Sequence, residues 1–236
     1  MKTLLIQISI FFFLAPIHGY GMDVKEVIEK MQQVYKQSHE FSYHSRYELF
    51  KGHKSNEAIE NYTGFFGRKG ASSYQKIGNS EQVYGKDFSL LINHDEQAMM
   101  LSNPQSIMTL PADLKQALSH CKESKLEEKD DAYIIVLYLK QTSPIPYSLV
   151  KLKIAKTGYH LQQLDLYYSV ATDFSQDHRI QDFEYAHLRI KLENFKKDCR
   201  LKESVFDVNT YLKKKNNAWF PVGDLEGYDI IDNRDK

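Results

Sequence analysis

The side chains able to do chemistry are few in this chain, and their spacing fits none of the common catalytic patterns. There is no G-x-S-x-G elbow, no H-E-x-x-H helix, no P-loop and no C-x-x-C pair. Gly85-Lys86 runs directly into Asp87, without the glycines that let a backbone cradle phosphate. His39-Glu40 and His94-Asp95-Glu96 come nearest to a metal or acid-base pair. The first falls at a predicted helix end and the second in a predicted hairpin turn, where solvated polar side chains are ordinary. Asp173, Asp177 and His178 gather in one loop, where carboxylates and an imidazole could hold a cation or share a proton, although loops are polar anyway. Asn61-Tyr62-Thr63 matches a glycosylation acceptor but sits in a predicted strand. Cys121 and Cys199 are the only cysteines. In an oxidising compartment they could be bridged; two free thiols are the other reading, and two cysteines alone do not make a metal site. No catalytic residue, cofactor or metal is therefore expected.

What the sequence offers instead is grease. In Tyr84 to Leu101, Phe88, Leu90 and Ile92 alternate on one face of a strand with Leu91 on the other; after a turn at Asn93 to Glu96, Ala98 and Met100 oppose Met99 and Leu101. A hairpin apolar on both faces either packs on both or leaves one open for a ligand. Met99, Met100 and Met108 suit a surface that repacks around varied chains, because thioethers are flexible and polarisable.

The elements that must position this hairpin read clearly. Lys2, an apolar run from Leu4 to Leu14, Pro16 and the small residues up to Gly21 form a secretory signal peptide, residues 1–21, whose core is shorter than the roughly 20 residues of a spanning helix. The first cysteine comes far too late for a lipid anchor, so the mature chain from Met22 is expected to be an exported, soluble, periplasmic monomer. The full sequence balances 31 basic against 31 acidic residues, and loss of Lys2 leaves the mature chain at minus one, which disfavours nucleic acid and anionic membranes as partners. No Pro/Gly/Ser-rich linker divides residues 22–236, and one domain is expected. Asp23 to Ser38 is an amphipathic helix with Val24, Val27, Ile28, Met31, Val34 and Tyr35 on one stripe, Asp23 as cap and Glu26 completing a capping box. From Phe41 the period becomes 2. Phe41, Tyr43, Tyr47 and Leu49, then Ile59, Thr63 and Phe65, start a six-strand meander that ends in the greasy hairpin. Pro111 begins a short second helix with Leu114, Ala117 and Leu118, and strands return from Ser124 to Asn194. The aromatic tail from Val205 to Asp232 reads as irregular, with one edge strand.

This order of parts, with the strand opening F-x-Y-x-x-R-Y at Phe41 and the unit EQVYGKDFSLLINHDEQAMML at residues 81 to 101, resembles the periplasmic outer-membrane lipoprotein carrier family (LolA-like). The likeness is clearest over residues 23 to 101. It implies an α+β fold, a strongly bent antiparallel β half-barrel covered by the N-terminal helix and a short second helix. It further implies a concave face that binds a lipid or lipoprotein acyl chain, lined by Tyr43, Tyr47, Phe65, Phe88, Leu90, Met99, Met100 and Met108. The family's lid-holding arginine falls nearest to Arg68, which here lacks the proline that follows it in the family. The long aromatic tail is a departure. A non-catalytic envelope assembly module, its concave face filled by its own loops or by a protein partner, is the alternative.

Overall fold

The computed structural model describes residues 22–105, 113–175, 180–216 and 218–234. The expected signal segment, Met108 and the Asp177-His178 pair lie outside these residues. The first element is helix α1, Val24–Gln37, capped by the Asp23 carboxylate, which accepts from the Glu26 backbone N–H at 2.7 Å. Glu26 itself turns to Lys30, 2.8 Å away. Val27, Ile28, Met31 and Tyr35 are buried, as the helical stripe requires.

A six-strand antiparallel meander follows: β1 Glu40–Lys51, β2 Ala58–Lys69, β3 Ser72–Ile77, β4 Ser80–Tyr84, β5 Ser89–Asn93 and β6 Ala98–Ser102. After helix α2, Asp113–Ser119, a second meander runs through β7 Cys121–Lys129, β8 Ala132–Leu139, β9 Tyr147–Ala155, β10 Leu161–Asp173 and β11 Phe183–Lys196. The tail adds the small hairpin β12 Leu212–Lys215 and β13 Ala218–Pro221, then β14 Asp229–Asp232. Strands β1 and β11 pair antiparallel and fuse the two meanders into one twelve-stranded sheet, ordered β14-β6-β5-β4-β3-β2-β1-β11-β10-β9-β8-β7. It is curved and open, not closed into a barrel. The half-barrel expected from the sequence is thus present, with β14 as the expected edge strand, joined in parallel to β6.

Because side chains alternate along a strand and directly paired residues share a face, the register sorts the whole sheet into two surfaces. On the inner one, Tyr47, Ile190, Leu164, Leu152, Ile135 and Leu126 form a row from β1 to β7. Helices α1 and α2 lie on this surface: Val27, Ile28, Met31, Tyr35, Leu114 and Ala117 share one core with Phe41, Ile135, Leu137, Leu152 and Ile154. The Tyr35 hydroxyl accepts from the Leu161 backbone N–H at 3.1 Å, and burial pushes its pKa up to about 12.

A second core lies on the outer surface at the other end. There Val83, Leu90, Ile92, Met99 and Leu101 are covered by Tyr211, Leu212 and Leu225 of the tail. The turn before β5 serves this core, since a Cβ on Gly85 would stand 2.1 Å from the Phe88 ring. That close approach is what the glycine of Gly85-Lys86 is for. Gly85→Ala is expected to lower stability by about 1–3 kcal/mol, as overpacking does, measured as a shifted urea midpoint with unchanged slope. Both thiols are free: Cys121 opens β7 at the sheet edge, while Cys199 is buried beside Gly67 of β2.

Candidate functional site: the inner face of the sheet

The polar residues singled out from the sequence hold structure together. His94 stands between the Tyr228 hydroxyl and Glu81, each 3.1 Å away, and so fastens the tail to the β5–β6 turn. Burial raises the Glu81 carboxyl, but hydrogen bonds from Lys76, Tyr74 and His94 outweigh it and leave the group below its ordinary range. Asp173 accepts from the backbone N–H groups of Ser175 and Asp182, at 2.9 and 3.1 Å, and so ties its own loop. His39 and Glu40 join α1 to β1. Among the described residues no group of three His, Cys, Asp or Glu side chains could hold a metal ion.

One polar cluster gave no sequence signal. On the outer surface the buried Asp165 accepts from Arg189 Nε at 2.6 Å, from Gln163 at 2.7 Å and from His187 Nε2 at 3.1 Å. The His187 ring is stacked between Tyr167 and Phe50, with centroids 4.1 and 5.0 Å away. Asp165 is 22 residues from His187 and 24 from Arg189, its two partners on β11, and only the β10–β11 register brings it to them. The cluster is a charge-paired strut.

The ligand-binding candidates divide by face. Tyr43, Tyr47 and Met100 are on the inner surface: Tyr43 pairs with Phe66, Tyr47 with Tyr62, and Met100 with Leu91. Tyr43 packs against Phe41 and Phe66, and burial holds its phenol above its usual range, with the Tyr47 and Tyr35 phenols adding to the shift. Phe65 is on the outer surface, against His44 and Tyr74. Phe88, Leu90 and Met99 are buried in the outer core beneath the tail. The inner-face partners Phe66, Leu91 and Tyr62 were the ones the sequence reading passed over; the period-2 alternation separated the two sets without saying which would be inner. Arg68 reaches the last turn of α1, where Nη1 donates to the Tyr35 carbonyl at 3.4 Å while Nε donates to the Gly70 carbonyl at 3.0 Å. A guanidinium there meets the negative end of the helix.

Followed from β1 toward β14, the inner surface changes character. The row Tyr43, Phe66, Gln75, Gln82, Leu91, Met100 and Ile231 is aromatic beside α1, polar at β3 and β4, and apolar again at the edge. Met100 is 37% exposed and Ile231 61%. Beside them is an open notch of about 90 Å³, lined by Gln82, Tyr84, Ser89, Leu90, Leu91, Met100, Ser102 and Gln105. A larger, open hollow of about 530 Å³ lies at the C-terminal end of α1, among Val34, Gln37, Ser38, His39, Glu40 and Lys197. The notch presents uncharged hydrogen-bonding groups at one end and apolar surface at the other, which is the pattern an amphiphile matches.

No protein-family model matches the chain, and no curated protein does. Among solved structures, the chain is similar to an uncharacterized conserved protein from Thermus thermophilus, at 9% identity over 89% of this chain and 98% of that one, with a TM-score of 0.47. It is also similar to a LolA superfamily protein from Nitrosomonas europaea, at 12% identity over 80% and 100% of the two chains, with a TM-score of 0.34. The lipoprotein LppX of Mycobacterium tuberculosis matches at 14% identity over 75% and 96%, with a TM-score of 0.37.

Proposed function

We propose that this chain is an exported, single-domain binder of an apolar or amphiphilic ligand, a lipid or a lipoprotein acyl chain, and that it works without catalysis. The observation that carries the reading is the row Leu91, Met100 and Ile231. These apolar side chains lie on the same surface that α1 and α2 cover elsewhere, yet Met100 and Ile231 remain open to solvent beside a notch with a polar end. Burying a hydrocarbon chain along such a row is worth about 0.8 kcal/mol per methylene, and Met100 can adapt its shape to the chain it meets. Beneath α1 the space is taken by native side chains, among them Met31 and Tyr35. This reading puts the ligand at the β4–β6 end, where Met100 and Ile231 are uncovered beside the notch. No helix among the described residues is long and apolar enough to cross a membrane.

A second reading, an assembly module that binds a protein partner, is favoured by the outer surface of the same hairpin. Its Leu90, Ile92 and Met99 are already sealed by the chain's own tail, so this protein does fill apolar sheet surface with polypeptide.

Native mass spectrometry of the exported, full-length protein separates the two, since co-purifying lipid supports carriage and a retained protein partner supports assembly. Met100→Arg is expected to weaken binding of cis-parinaric acid, a fluorescent fatty acid, by at least about tenfold, a loss of roughly 1.4 kcal/mol. Its thermal midpoint should stay within about 2 °C of wild type, because the side chain is solvent-facing. Equal binding by the two proteins would exclude this face as the site.

A further inference from the structure

Strand β7 ends the sheet opposite β14, and among the described residues it has a strand neighbour, β8, on one side only. Seven of its nine residues, Lys122 to Lys125 and Glu127 to Lys129, are exposed, and Leu126 is half-buried. An edge of this length offers a row of unpaired backbone N–H and C=O groups to any strand that fits it. Many edges are protected by side chains of one sign, which repel a second copy. Here the signs alternate along the outer face of the strand: Glu123, Lys125, Glu127, Lys129.

From this pattern we infer that β7 is a self-complementary edge through which two copies of the chain pair antiparallel into a dimer. Two identical antiparallel strands are related by a dyad normal to the sheet, and that dyad passes through a residue facing its own copy. With Leu126 on the dyad, Leu126 meets Leu126 of the second copy. Lys125 then faces Glu127 and Glu123 faces Lys129, on the outer surface and in both directions. Ser124 faces Glu128 on the inner one, within the regular part of β7. Moving the dyad to Lys125 sets Lys125 against itself and Glu123 against Glu127. Moving it to Glu127 sets Glu127 against itself and Lys125 against Lys129. Moving it to Ser124 shortens the overlap and halves the outer-face opposite-charge pairs. The sequence thus selects one register.

The monomer's own geometry prepares it. Lys125 lies 3.2 Å from Glu123, and Lys129 lies 3.4 Å from Glu127, on the outer surface of the strand. In the dimer these two ion pairs continue across the dyad into a ladder of alternating sign, the cross-strand arrangement that stabilises antiparallel pairs. The two inner surfaces join at Leu126, so that two binding faces become one sheet.

Charge exchange tests this on the full-length protein. By light scattering after size exclusion at low ionic strength, wild type is expected to dimerise, with a dissociation constant that rises as salt screens the ladder. Lys125→Glu and Glu127→Lys, made separately, each set like charges opposite and should weaken dimerisation by at least tenfold, while circular dichroism confirms that each variant remains folded. Mixing the two single variants should restore a dimer, because the Lys125→Glu chain then meets the Glu127→Lys chain in opposite charge; both changes placed in one chain should restore it too. A wild type that stays monomeric at low salt, a dimer indifferent to the single changes, or a mixture that fails to reassociate would overturn the inference.

Discussion

Asp165→Ala is expected to lower the unfolding free energy by about 3 kcal/mol, the low end of what breaking a buried ion pair costs. The low end applies because Arg189 is 31% exposed and water takes up part of its lost partner. Asp165 is 2% exposed and receives three hydrogen bonds. Removing it takes away the hydrogen bond at Nε2 of His187, a buried ring whose Nδ1 has no partner among the described residues. The direction of the pH dependence follows from the carboxyl itself. Burial pushes its pKa up, but hydrogen bonds from His187, Arg189 and Gln163 outweigh burial and hold it below the ordinary value. A carboxyl whose folded pKa is depressed contributes stability that is present above its unfolded value of about 3.9 and is lost as pH falls through the folded one. Urea midpoints measured from pH 6 downward should therefore fall steeply in wild type below about pH 4 and less steeply in Asp165→Asn. Parallel curves would show that the pair is not coupled to folding.

That such a cluster escaped the sequence reading has a physical cause. Local period fixes an element, and α1 and both meanders are legible because their apolar residues recur at 3.6 or at 2. Period also separated Leu90 and Ile92 from Leu91, and Phe65 from Phe66. Which of each pair would be inner depends on contacts set by distant chain. Phe66 is inner because it pairs with Tyr43, whose strand carries α1 beneath it, while Leu90 and Met99 are outer because a tail from the far end of the chain folds over them. Apolarity and placement within the meander single out Tyr43, Tyr47 and Met100, which lie on the inner face, and equally Phe65, Phe88, Leu90 and Met99, which lie on the outer one. Asp165, His187 and Arg189 are joined by the β10–β11 register alone, and no spacing along the chain encodes a register.

Leu212→Ala is expected to lower stability by about 2–4 kcal/mol, and the loss should be local. Leu212 is fully buried at the centre of the outer core, where the tail covers Val83, Leu90, Ile92, Met99 and Leu101. The tail is held there by more than apolar contact. The Asp229 N–H donates to the Gln97 carbonyl at 2.9 Å, the Asn233 N–H donates to the Leu101 carbonyl at 2.8 Å, and Tyr228 meets His94. This core is separate from the one beneath α1, which contains none of the tail's residues. Loosening the tail should therefore open β4 to β6 while leaving β8 and β9 closed, a sub-global unfolding rather than an all-or-none one. Hydrogen exchange is the measurement: in Leu212→Ala, amides of Leu90, Ile92 and Met99 should exchange faster by at least tenfold, about 1.4 kcal/mol of local protection, with those of Ile135 and Leu152 unchanged. Cutting the chain after Lys202 removes the cover altogether. That form should bind the dye ANS strongly and aggregate, because a large apolar patch and an uncapped β6 edge are then exposed together. Uniform acceleration across both cores would show a single cooperative unit and would remove the reason for treating the tail as an independent cover.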